Sequence, residues 1–94
     1  MSVSTGALSA AGFSTSGTVG TTSAVIVAAG AFSAWVTIQN THASNKLSLS
    51  FNATATTSDF TLAPGASITL PFGLANALNG IGSAAGTTFA AIGF

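Results

Sequence analysis

Leu47, Leu49 and Phe51 alternate with Ser48 and Ser50, and Ile68, Leu70 and Phe72 alternate with Thr69 and Pro71. A period of two is the signature of a strand with one face buried and one face wet. No stretch of the chain carries apolar residues at helical spacing over a normal helix length. Val25, Ile26 and Val27 form a β-branched run, and Val36 and Ile38 share one face of a segment from Ser33 to Asn40, with Trp35 and Thr37 on the other. Phe60 and Leu62 mark a short strand. A last strand runs from Thr87 to Phe94, with Phe89 and Ala91 on one face and Ile92 and Phe94 on the other. Ala63-Pro64-Gly65-Ala66 suits a type II turn, with Pro at its second position and Gly at its third. Leu74 to Gly82 fits either a helical turn carrying Leu74 and Leu78 or a strand carrying Leu78; Asn79-Gly80 also suits a hairpin turn, with a continuing strand the preferred reading. The segments Ser33–Asn40 and Lys46–Asn52, joined by the polar loop from Thr41 to Asn45, read as a hairpin.

Six or seven short strands with turns between them predict an all-β fold, a small antiparallel β-sandwich or barrel. Residues 23–94 are the expected domain. Residues 1–22 are rich in Gly, Ser and Thr and show no period, so they read as an extended N-terminal arm. The 94 residues fit one small domain with a thin core. Such a core gains from burial against neighbouring subunits.

Charge sets the limits on function. The chain has one Lys (Lys46), one Asp (Asp59) and one His (His42), with no Glu, Arg, Cys or Tyr, and charged residues make up 2% of it. About a quarter is usual in soluble domains. A catalytic histidine needs an orienting carboxylate or a nucleophile to activate. His42 and Asp59 are distant in sequence and no Gly-x-Ser-x-Gly elbow exists, so no catalytic residues are assigned. One His and one carboxylate do not fill a metal-ligand set within one chain, so no metal and no cofactor is expected. One Lys cannot neutralise a phosphate backbone, which argues against nucleic acid as a partner. Gly80-Ile81-Gly82 lacks the rest of a dinucleotide fingerprint. The residues before Lys46 hold no Lys or Arg, so no secretory leader is expected. The apolar stretch Ala24 to Ile38 is short for a membrane helix, which needs about 20 residues. Lys46 and Asp59 read as two ordinary exposed charges.

Ala, Gly, Ser and Thr supply more than half of the residues. With net charge near zero, little electrostatic repulsion keeps copies apart. The working form is therefore expected to be an assembly, with contacts made of hydroxyls, amides and apolar side chains. Leu8, Phe13, Trp35 and Phe94 are the candidate anchors between subunits.

The segment WVTIQNTHASNKLSLSF, beginning at Trp35, resembles the opening of small virion proteins of tailed bacteriophages. The likeness continues through TATTSDFTLAPGASITLPFG and NALNGIGSAAGTTFAAIGF to Phe94, and Thr37–Asn40 and Leu62–Thr69 are its most specific parts. The resemblance implies a small β-sandwich located in the virion, with no catalytic residues. The most concrete expectation is a capsid decoration (cement) protein. It would be a homo-oligomer, with a trimer favoured, and would bind the major capsid protein or other virion proteins. A tail, connector or head-fibre component, with recognition of host glycans, is the alternative.

Overall fold

A computed structural model describes residues 12–51 and 54–94. Eight strands and no helix occur among them: β1 (Phe13–Val19), β2 (Ala24–Val27), β3 (Val36–Asn40), β4 (Leu47–Ser50), β5 (Phe60–Leu62), β6 (Ser67–Leu70), β7 (Leu78–Gly82) and β8 (Thr87–Gly93). They form two antiparallel sheets of four, ordered β1-β8-β3-β6 and β2-β7-β4-β5. The all-β sandwich expected from the alternating segments is present.

The pairings are nested. β4 pairs with β5, β3 with β6, β2 with β7 and β1 with β8, all antiparallel. This is one long hairpin with its tip at β4–β5, folded so that along each arm the strands alternate between the two sheets. β3–β8 and β4–β7 pairings then close each sheet. The arrangement is that of a jelly roll, with two Greek keys in eight strands.

Each strand's alternation decides which side meets the core. Val36 and Ile38 from the first sheet face Leu47 and Leu49 from the second, and all four are buried. Phe32, from the β2–β3 connection, is the largest fully buried side chain. Burying one such side chain contributes about 2–3 kcal/mol. The predicted turn is also present: Ala66 N donates to Ala63 O at 2.9 Å, and Gly65 takes a φ of 80°. That conformation suits glycine at the third position of a type II turn.

Two expectations are corrected. β3 and β4 do not form a hairpin. They lie in different sheets and face each other across the core, because alternation marks which side of a strand is buried and not which strand lies beside it. The expected arm also ends earlier than residue 22. Residues 13–19 are β1, in unbroken register with β8 from Phe13 opposite Gly93 to Val19 opposite Thr87. Residues 1–11, the remainder of that arm, lie outside the described residues.

The outer faces of the two sheets differ. Over the second sheet the β4–β5 connection folds back, and Ala55 N donates to Ser23 Oγ at 2.8 Å. Ala55, Ser48 and Asn79 are buried accordingly. Among the described residues, the first sheet has no such cover.

Candidate functional site

The strand directions place all connections at two ends. One end gathers the β1–β2, β3–β4, β5–β6 and β7–β8 connections. The other gathers the β2–β3, β4–β5 and β6–β7 connections, with the start of β1 and the end of β8. The two ends have opposite chemistry.

The first end is polar and internally satisfied. Asn40, at the end of β3, is fully buried. Its Nδ2 donates to Asn45 O at 2.8 Å and to Leu62 O at 3.0 Å, and its Oδ1 accepts from His42 N at 3.0 Å. His42 Nδ1 accepts from the backbone N–H groups of Ser44 at 3.0 Å and Asn45 at 2.8 Å. The ring thus holds its own loop in shape. Asn45 Nδ2 reaches Thr87 Oγ1 at 3.1 Å and so ties this loop to the start of β8.

The two charges stand apart. Lys46 precedes β4 at the polar end, while Asp59 precedes β5 at the other. Asp59 Oδ2 accepts from Thr56 N at 2.7 Å, closing a local turn. Lys46 and Asp59 form no ion pair, and no group of three metal-ligating side chains occurs among the described residues. His42 and Asp59, the pair a Ser/His/Asp triad would use, lie at opposite ends.

The second end is aromatic. Phe13, Phe32, Trp35, Phe51, Phe60, Phe72 and Phe94 all lie at or beside it, leaving Phe89 toward the polar end. Three ring pairs form there: Phe13 with Phe32 at 5.3 Å between centroids, Trp35 with Phe94 at 6.0 Å, and Phe51 with Phe72 at 6.5 Å. Phe32 is core, yet Phe13, Phe51, Phe60, Phe72 and Phe94 are exposed. Edge-to-face packing holds Trp35 against Phe94. Trp35 N donates to Phe94 O at 3.0 Å and Phe94 N to Trp35 O at 3.1 Å, which fixes both residues. Phe51 and Phe60 also line an apolar groove of about 280 Å³ between the edges of β5 and β6, with Leu49, Ile68 and Leu70.

Three of the four anchors expected from sequence, Phe13, Trp35 and Phe94, are therefore neighbours at one end; Leu8 lies outside the described residues. Phe51, Phe60 and Phe72 were missed as surface residues. Alternation put Phe51 and Phe72 in the core, but β4 ends at Ser50 and β6 at Leu70, before either ring. Pro71 was the available signal, since a strand rarely continues through proline.

The outer face of the first sheet is a third feature. Ser14, Ile92, Thr37 and Thr69 form one row across it, and Ser16, Ala90, Gln39 and Ser67 the next. Thr37 Oγ1 and Thr69 Oγ1 share a hydrogen bond of 2.7 Å, and Thr41 Oγ1 donates to Thr88 Oγ1 at 2.9 Å. The face is uncharged and dominated by hydroxyls.

Comparison with known protein families, with curated proteins and with solved structures finds no match to this chain. The expected likeness to phage virion proteins thus finds no relative to support it, and a functional reading rests on the surfaces described above.

Proposed function

We propose that the chain is a non-enzymatic building block of a virus particle, a decoration protein that attaches to a capsid lattice by its aromatic end. The observation that carries this reading is the group of exposed Phe side chains at one end of an almost uncharged sandwich. Exposed apolar clusters of this kind mark contact surfaces. Phe and Trp supply large contact area with few rotatable bonds, which suits interface anchors. The jelly roll is an architecture used in viral capsid domains, which agrees with the reading by analogy only. Many copies bound to one lattice gain strength through multivalency, so each contact can be modest.

The Phe51→Ser, Phe72→Ser double variant tests the reading. Both rings are exposed, so the melting temperature is expected to change by only a few degrees, about 1 kcal/mol or less in stability. Co-sedimentation of the variant with phage particles stripped of this protein is expected to fall at least tenfold, which corresponds to about 1.4 kcal/mol. Retained binding overturns the aromatic end as the anchor. Because the contacts carry almost no charge, wild-type binding is expected to change less than about twofold between low salt and about 0.5 M salt. A steep loss with salt contradicts apolar docking.

A further inference from the structure

We propose that β1 is a self-recognition edge, through which two copies of the chain pair antiparallel about a twofold axis at Ser16. β1 is seven residues long and, among the described residues, pairs on one side only, with β8. The row of backbone N–H and C=O groups on its other side is a template for another strand.

The remaining sheet edges are short or blunted. β2 has four residues and a register break between Val25 and Val27. β5 has three residues. β6 has four and runs into Pro71. Proline, charge and bulges are the usual devices that keep edges from pairing, and β1 has none of them.

The sequence of β1 complements itself. A twofold axis at Ser16 sets Ser14 opposite Thr18 of the second copy, Thr15 opposite Gly17, and Phe13 opposite Val19. Ser14, Ser16 and Thr18 lie on the hydroxyl face, so their cross-strand pairs would repeat the Thr37–Thr69 and Thr41–Thr88 bonds already present there. On the core side, the Phe89 ring already lies over Gly17 and Val19 is buried, so the exposed Phe13 ring is the side chain that stands to gain cover there. No charge sits on this edge to oppose the approach.

The product is a continuous sheet of eight strands. Antiparallel pairing points the two aromatic ends in opposite directions. If those ends are anchors, as the reading above has it, the dimer is a two-headed staple between neighbouring capsomers. The pairing itself does not depend on that reading.

Native mass spectrometry of the full chain tests it, with Ser16→Lys and Ser16→Asp as variants. The wild type is expected at twice the chain mass of 9.0 kDa. Each variant sets like charges opposite each other and is expected at the single-chain mass, with an unchanged β-type circular dichroism spectrum. An equimolar mixture of the two variants is expected to return to twice that mass, because opposite charges then meet. A monomeric wild type, a variant that stays associated, or a mixture that stays monomeric overturns the proposal. A dimer with these properties that never enters a particle would refute the decoration reading and leave the pairing intact.

Discussion

Replacing Asn40 by alanine is expected to lower the unfolding free energy by about 3–5 kcal/mol. The side chain is fully buried and makes three hydrogen bonds, to Asn45 O, Leu62 O and His42 N. Each lost bond removes about 1 kcal/mol, and a buried carbonyl left without a donor costs about 1–3 kcal/mol more. The main-chain bonds of Asn40, to Ala66 O and from Gly65 N, survive the change. Aspartate gives a sharper result. It keeps an acceptor for His42 N but turns both donated bonds into oxygen–oxygen contacts and buries a charge. Asn40→Asp is therefore expected to be at least as damaging as Asn40→Ala at neutral pH. In urea unfolding the midpoint should fall with little change in slope. The melting temperature should drop by roughly 15 °C or more. A loss below about 1 kcal/mol would show that the loop does not depend on this side chain.

Gly93→Ala is expected to cost about 3 kcal/mol, near the upper end of overpacking effects. Gly93 sits between β1 and β3, opposite Phe13 and Val36. An added Cβ would run into the Trp35 carbonyl oxygen, and would lie 2.8 Å from Val36 Cα and 2.9 Å from Phe32 Cδ1. Two of those obstacles are backbone at and just before the start of β3, which cannot rotate away. The third belongs to the largest fully buried side chain. The strain falls beside the Trp35–Phe94 pair, so the emission of the single tryptophan should report it. Gly20→Ala is the matched control. Nothing lies within 4 Å of its added Cβ, so its effect should stay within about 0.5 kcal/mol. Equal effects at the two positions would contradict the packing described for the aromatic end.

Much of the fold was legible in the sequence because alternation speaks directly to burial. Leu47 and Leu49, Val36 and Ile38, and Phe89 and Ala91 each occupy the side that their spacing predicts. The Pro64-Gly65 turn was legible because few backbone conformations suit that pair. Strand neighbours were not legible. The period of β3 and β4 is the same whether they sit side by side or face to face. β1 was mistaken for part of an arm because an edge strand buries little; between Phe13 and Val19 it holds only Ser, Thr and Gly. The aromatic end was half legible. Phe13, Trp35 and Phe94 stood out as large residues among small ones. Phe51 and Phe72 were hidden by an alternation that outlasts the strands themselves. Asn40 gave no signal, since a polar residue at the border of a polar loop looks ordinary until its burial is seen.

The near absence of charge and the clustering of Phe at one end support the central proposal, that this jelly roll works as a lattice-bound structural unit. Quantitative mass spectrometry of virus particles purified from a culture that produces the chain tests it most directly, by counting its copies against the major capsid protein. The account predicts a copy number of the same order as the capsid protein, falling sharply in particles that carry the Phe51→Ser, Phe72→Ser variant. Absence of the chain from the particles, or a handful of copies unaffected by the double variant, would contradict it.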